Sequence, residues 1–190
     1  MSEPANTYQK ARQILLNALP KGGVGVEIGV WKGDFSARLL QVAAPRTLHL
    51  LDPWQINQDE AHAKAWYGRE RGIDMDEIHA SVMARFKAEI AAERVVIHRA
   101  SSIDAMASFD DGTLDFVYVD GDHAYDAVRA DLEIAVQKVR PKGVICADDH
   151  MLGRWWGDGV VRAVNEVLGA HPRSLTLVFA ANGQVMIEKR

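Results

Sequence analysis

The sequence predicts an α/β fold, namely a Rossmann-like, doubly wound, seven-stranded, mostly parallel sheet with a C-terminal antiparallel hairpin. Short apolar runs alternate along the chain with longer segments of helical period, which is the pattern of right-handed βαβ crossovers. The last two runs differ, because residues 180–183 alone separate them. Within that gap Asn182 and Gly183 form a strong two-residue hairpin signal, so the final strand is expected to run antiparallel to its neighbour.

The length and composition fit one such domain. The chain has 190 residues, of which 48% are hydrophobic and 25% charged, as in typical globular proteins. Its 22 Lys and Arg against 26 Asp and Glu give a net charge of −4, which disfavours bulk binding to nucleic acid or to an anionic membrane. The lone Cys146 allows no internal disulfide, and residues 1–21 lack the apolar core of a signal peptide. We therefore expect a soluble, cytoplasmic protein.

The apolar runs predict the strands. Several are apolar nearly throughout, as expected for strands that are buried on both faces of a parallel sheet. The predicted strands cover residues 24–30, 47–51, 95–99, 114–119, 143–147, 175–179 and 184–188.

Segments with apolar residues at helical spacing predict the helices. In residues 126–139 these positions form one stripe, and Pro141 with Gly143 ends it. The long connection between Asp52 and Val95 either covers a binding site or packs as a peripheral helix. The other predicted helices cover residues 8–19, 34–43, 81–92, 103–107 and 158–169.

Functional residues are sought where the strands end, because ligands of open α/β sheets lie outside the carboxyl ends of the strands. The first strand runs into Glu27-x-Gly29-x-x-x-Gly33, whose glycines allow a sharp turn toward a ligand. Glu27 suits a ligand with a positive end. The spacing is not Gly-x-Gly-x-x-Gly, which disfavours a dinucleotide loop.

The next two strands also end in polar residues. Asp52, about 20 residues beyond the glycine turn, is placed to accept hydrogen bonds from ribose hydroxyls. The alternative is a solvated turn residue before Pro53. Ser101 and Ser102 follow the third strand, where they could meet an adenine edge or cap a short helix.

Acidic residues follow the fourth and fifth strands. Asp120, Asp122 and His123 end the fourth strand, and the fifth ends in Asp148, Asp149 and His150. Carboxylates that meet at one sheet edge repel each other unless a cation neutralises them. All-oxygen ligation by Asp suits Mg²⁺ or a similar hard divalent ion. The alternative is that Asp122 is a helix cap, Asp149 a turn residue and both histidines solvated.

The ordered set of Glu27-x-Gly29-x-x-x-Gly33, Asp52, Ser101, Asp120 and Asp148-Asp149 resembles class I S-adenosylmethionine-dependent methyltransferases. Residues 119–125 together with 147–150 are similar to the small metal-dependent O-methyltransferases, which include catechol-type enzymes and enzymes that methylate antibiotic sugars. This resemblance covers the chain from about residue 22 to the end. It implies one methyltransferase domain over 1–190, with an N-terminal helical extension over 1–21 and an insertion over 53–80 above the active site.

The resemblance also implies a role for each site residue. Glu27, Gly29 and Trp31 would lie along the methionine part of S-adenosylmethionine. Asp52 would hold the ribose and Ser101 or Ser102 the adenine. A divalent cation such as Mg²⁺ would be held by three carboxylates, of which the first also borders the cofactor: Asp120, Asp148 and Asp149.

The expected reaction is methyl transfer to a hydroxyl of a small molecule. Where catechol-type enzymes have a lysine base this chain has His123, with Asp122 nearby, and either is a candidate base. Trp155 and Trp156 would form a wall over the acceptor, or serve as packing residues or as a subunit contact. A homodimer is compatible with the sequence. The alternatives are a dinucleotide-dependent oxidoreductase and a non-catalytic binding module on the same fold.

Overall fold

The computed structural model describes residues 7–56, 72–152 and 156–190. One sheet of seven strands lies between two layers of helices. The helices are α1 (Thr7–Ala18), α2 (Asp34–Val42), α3 (Met75–Arg85), α4 (Lys87–Ala91), α5 (Ser102–Ala107), α6 (Tyr125–Lys138) and α7 (Gly159–Ala170). The strands are β1 (Val24–Ile28), β2 (Thr47–Leu51), β3 (Val95–His98), β4 (Leu114–Val119), β5 (Val139–His150), β6 (Leu175–Ala181) and β7 (Gly183–Lys189).

The sheet confirms the predicted fold class. Its strand order is β3-β2-β1-β4-β5-β7-β6, and the first five strands in that order run parallel. β7 runs antiparallel to both β5 and β6. The β6–β7 turn has the predicted residues: Asn182 and Gly183 both have positive φ, at 45° and 83°, as a type I′ hairpin turn requires.

Two predicted boundaries were wrong. β5 begins at Val139, before Pro141, because Val139 already pairs with Leu114 across an irregularity in the register. The segment predicted as one helix over 81–92 forms parts of two helices. The first of them, α3, begins earlier than predicted, because Asp74 accepts hydrogen bonds from two amides of its first turn. The buried Phe86 separates α3 from α4. Among the described residues, no helix combines the length and apolar character needed to span a bilayer.

The strands are buried on both faces, as their apolar sequences predict. In β4, Val117 and Val119 contribute to one core, which packs against α6 and α7. Phe116 and Tyr118 contribute to the other core, which packs against α1, α2 and α3. This alternation directs the hydroxyl of Tyr118 toward α1, where it accepts a hydrogen bond from Nε of Arg12 at 3.1 Å.

A close backbone approach aligns the loops that follow β1 and β4. Gly29 has φ +85° and donates its N–H to the carbonyl of Leu51 at 2.9 Å. A Cβ atom at Gly29 would lie 2.2 Å from the backbone oxygen of Asp120. The two loops can therefore meet at this distance because position 29 has no side chain.

We predict that Gly29→Ala lowers the free energy of unfolding more than Gly22→Ala does. Gly22 also has positive φ, at 70°, but a Cβ there meets no atom within 4 Å. Both substitutions introduce left-handed strain of roughly 1–2 kcal/mol, and Gly29→Ala alone adds the clash. Urea unfolding of both variants measures the difference, and equal losses would contradict the close approach.

Candidate active site

A cleft of about 600 Å³ opens at the carboxyl ends of β1, β2, β4 and β5. This volume is typical of a site for a small organic ligand, roughly 300–1,000 Å³. The predicted residues that line it are Glu27, Gly29, Trp31, Asp52, Ser101, Ser102, Asp120, Asp122, His123 and Asp149. The predicted insertion contributes Pro53, Gln55 and Met75, while its residues 57–71 lie outside the described part of the chain.

Asp52 connects the loops that follow β1 and β2. Its Oδ2 accepts hydrogen bonds from the backbone N–H groups of Val30 at 2.9 Å and Trp31 at 3.0 Å. Its Oδ1 accepts one from the N–H of Trp54 at 2.6 Å, and the Trp54 indole donates to the Trp31 carbonyl. Trp31 and Trp54 both have positive φ, so this carboxylate supports two strained loop positions as well as lining the cleft.

Glu27 lies at the cleft wall with 1% of its surface exposed. Its Oε2 accepts a hydrogen bond from the Ser36 hydroxyl at 2.5 Å. Burial raises the pKa of Glu27 to about 8, although Ser36 and Arg12 favour the ionised form. A cationic group that entered the cleft beside Glu27 would therefore meet a carboxyl poised to ionise.

The two serines after β3 serve the fold as well as the cleft. Ser101 caps α5, because its Oγ accepts the N–H of Asp104 at 3.2 Å. Ser102 donates to Oδ1 of Asp131 at 2.5 Å. Burial raises the pKa of Asp131, which also lines the cleft, to about 6. Sequence reasoning missed Asp131, although a carboxylate beside Leu132 in the buried stripe of α6 is the signal that identifies it.

Three side chains meet at the edge of the cleft and are called the edge cluster below: Asp120, His123 and Asp149. One ligand atom of each lies within 4.8 Å of the others. His123 Nε2 is 2.8 Å from Asp149 Oδ2 and 4.0 Å from Asp120 Oδ1. Asp122 lies beside them and accepts the N–H of Ala124 on its Oδ1 at 2.8 Å.

The structure does not bring Asp148 into the edge cluster. The Asp148 side chain has no exposed surface, and its two oxygens are occupied by groups of the protein. Oδ1 accepts from the hydroxyl of Tyr8 at 2.7 Å and from the side-chain amide of Gln184. Oδ2 accepts from the hydroxyl of Tyr118 at 3.0 Å and lies 2.9 Å from Nη2 of Arg12.

Arg12 is the main residue that sequence reasoning missed. It reaches from α1 to the strand ends, where its Nη2 lies 2.5 Å from Asp120 Oδ2 as well as 2.9 Å from Asp148 Oδ2. Its Nε donates to the hydroxyl of Tyr118 at 3.1 Å, and its guanidinium lies over the Phe35 ring at 3.8 Å. The available signal was position: Arg12 lies on the apolar face of α1, where a charged side chain requires buried partners.

Of the two tryptophans predicted to form a wall over the acceptor, the structure describes Trp156. Trp155 lies outside the described residues. The Trp156 ring packs against that of His123, with centroids 4.8 Å apart, and its Nε1 donates to the Met151 carbonyl at 3.3 Å. Trp156 therefore supports the imidazole of the edge cluster from one side.

Comparison with known families identifies the domain type. Residues 26–150, which are more than half of the chain, match the family model described as a methyltransferase domain. The match begins in β1 and ends at His150, so it includes Glu27 and all three residues of the edge cluster.

A curated relative matches only part of the chain. An uncharacterized protein from Sinorhizobium fredii is 31% identical over 96 residues, which are 47% of this chain and 10% of that protein. The chain thus spans about a tenth of the length of this curated relative.

Solved structures share the fold. A proposed rRNA methylase from Clostridium thermocellum superposes with a TM-score of 0.67 at 14% identity. The superposition covers 99% of this chain and 98% of that protein. An O-methyltransferase from Bacillus cereus in complex with SAH has a TM-score of 0.62 at 18% identity, and 100% of this chain covers 84% of it. At such identities these structures show the fold alone, and their acceptors differ.

Proposed function

The chain belongs to the methyltransferase-domain family, and from this premise we propose that it transfers the methyl group of S-adenosylmethionine to a hydroxyl of a small molecule. The observation that carries the choice of a hydroxyl acceptor is the contact between His123 and Asp149, 2.8 Å, at the edge of the cleft. An imidazole paired with a carboxylate is suited to removing a proton from a hydroxyl. Family membership favours methyl transfer over the dinucleotide-dependent oxidoreductase.

The walls of the cleft suggest how the cofactor binds. Glu27 would meet the ammonium group of the methionine part, because it is a buried carboxyl that a neighbouring cation would ionise. Asp52 would accept from the ribose hydroxyls, and Ser101 or Ser102 would face the adenine. Gly29 would offer its backbone to the methionine part, because it lines the cleft where its lack of a side chain lets the loops after β1 and β4 meet.

The chemical step follows from these positions. The acceptor oxygen forms a bond to the methyl carbon while the bond from that carbon to the sulfonium sulfur breaks. The bonding electrons stay on sulfur, and S-adenosylhomocysteine leaves as a neutral thioether. Nδ1 of His123 takes the hydroxyl proton, because Nε2 faces Asp149, which stabilises the resulting imidazolium. Alignment of oxygen, carbon and sulfur supplies much of the rate gain.

A divalent cation fits this edge of the sheet. Asp120 and Asp149 each offer carboxylate oxygen, and Mg²⁺ is commonly held by one or two carboxylates together with water. Bound there, the cation would act as a Lewis acid that lowers the pKa of the acceptor hydroxyl. In this proposal His123 lies outside the ligand set, because an imidazole that binds the ion through one nitrogen carries its proton on the other and has no lone pair to accept another. This set leaves out Asp148, which the family resemblance implied as a ligand.

Calorimetry and product analysis test the function. The protein is titrated with S-adenosylmethionine and separately with NAD, then incubated with S-adenosylmethionine and a panel of catechols and hydroxylated sugars. We expect binding of S-adenosylmethionine and formation of S-adenosylhomocysteine with one or more acceptors, detected by mass spectrometry. Binding of NAD without binding of S-adenosylmethionine would contradict the proposal.

We predict that S-adenosylmethionine binding at pH 7 releases close to one proton from Glu27. The pKa of Glu27 is about 8, so the carboxyl is mostly protonated at pH 7, and the cofactor ammonium would lower that pKa. Calorimetry in buffers of different ionisation enthalpy measures the protons released. Glu27→Gln should abolish the proton release. Asp52→Asn should weaken cofactor binding but leave the proton release that accompanies it. Proton release that persists in Glu27→Gln would contradict this role.

We predict that His123→Ala lowers kcat by roughly 10²–10⁴-fold, the usual contribution of a general base. Mn²⁺ and S-adenosylmethionine should bind nearly as well as in the unmodified protein. His171→Ala is the matched control, because His171 also pairs with a carboxylate, Glu133 at 2.9 Å, but does not line the cleft. Its kcat should not change.

Two results would contradict the assignment of His123 as the general base. Loss of Mn²⁺ binding in His123→Ala would indicate that the imidazole is a metal ligand. A larger loss of kcat in Asp122→Asn than in His123→Ala at every pH would make Asp122 the proton acceptor.

A further inference from the structure

We infer that Arg12 is a positioning residue that holds Asp148 inside the fold, so that a divalent cation at the edge cluster is held without Asp148. The inference rests on the proposed metal-assisted function. It assigns a role to α1, which lies outside the matched family region of residues 26–150.

The geometry divides three carboxylates into two groups. Asp148 has no exposed side-chain surface, whereas the side chains of Asp120 and Asp149 are each 23% exposed. Asp120 belongs to both groups, since its Oδ2 lies 2.5 Å from Arg12 and its Oδ1 lies 4.0 Å from His123. Arg12 therefore leaves one oxygen of Asp120 directed toward the cleft.

Charge explains why the guanidinium is needed. A carboxylate without solvent contact is costly unless a cation or several donors satisfy it. Asp148 receives hydrogen bonds from Tyr8 and Tyr118 as well as the ion pair with Arg12. One positive charge against three carboxylates leaves a net negative edge, which still attracts a divalent cation to Asp120 and Asp149.

The shape of the guanidinium explains how one residue serves two carboxylates. Arg12 Nη2 contacts an oxygen of each, while Nε donates to Tyr118 at 3.1 Å. The planar group also lies on the Phe35 ring at 3.8 Å, which restricts its orientation. Tyr8, one helical turn before Arg12, binds the other oxygen of Asp148, so two residues of α1 hold the same carboxylate.

Mn²⁺ titration followed by electron paramagnetic resonance tests the inference on the full chain, because the signal of free Mn²⁺ reports binding without any need for turnover. The variants are Asp148→Asn, Asp120→Asn, Arg12→Met and Arg12→Lys. We expect Asp148→Asn to weaken Mn²⁺ binding by a few-fold, through the loss of a nearby negative charge, and Asp120→Asn to weaken it by clearly more, roughly tenfold or more, through the loss of a ligand. Arg12→Met should bind it roughly tenfold more tightly, since a nearby positive charge is gone, and Arg12→Lys should restore the original affinity.

The outcomes separate this inference from the proposed function. A loss of affinity in Asp148→Asn as large as that in Asp120→Asn would overturn the inference, as would unchanged or weaker binding by Arg12→Met. Binding by Arg12→Met alone would refute metal assistance in the unmodified protein and would overturn the inference with it, because no cation would then be held beside Arg12. Absence of binding in every variant would overturn the inference and the proposed metal assistance, and it would not contradict the proposed methyl transfer. Circular dichroism reports folding, and if Arg12→Met does not fold, the comparison of Asp148→Asn with Asp120→Asn decides.

Discussion

A guanidinium that reaches from the first helix lies between two carboxylates at the ends of β4 and β5. Arg12 contacts Asp120 and Asp148 and is held on the ring of Phe35. Without this cation the negative charges of adjacent strand ends would repel across a short distance inside the protein. The ion pairs connect α1 to the centre of the sheet and leave Asp120, His123 and Asp149 in contact at the cleft.

The cleft itself is shaped by groups that serve fold and function together. Asp52 supports the loops after β1 and β2 through three backbone amides, and Ser101 caps α5, yet both line the space proposed for the cofactor. Gly29 lets the loops after β1 and β4 approach each other. A substitution at any of these positions would therefore alter stability as well as ligand binding, and variants of Glu27 or His123 separate the two effects better.

Local patterns predicted most of the fold, because buried apolar strands, the Asn182-Gly183 turn and the polar strand ends are short-range features. The partners of Arg12 could not be found in this way, since more than a hundred residues separate it from Asp120 and Asp148. The side of the sheet on which Asp148 lies could have been predicted from the sequence. Side chains alternate along a strand, so Asp148 lies on the same side as Cys146, whose core packs against α1.

This edge of the sheet divides its carboxylates between Arg12 and the proposed reaction site. A crystal structure with S-adenosylhomocysteine and Mn²⁺ tests it most directly. We predict an ion bound by oxygens of Asp120 and Asp149, with Asp148 still paired to Arg12 and Tyr8. An ion coordinated by Asp148, with Arg12 withdrawn from the strand ends, would contradict the account.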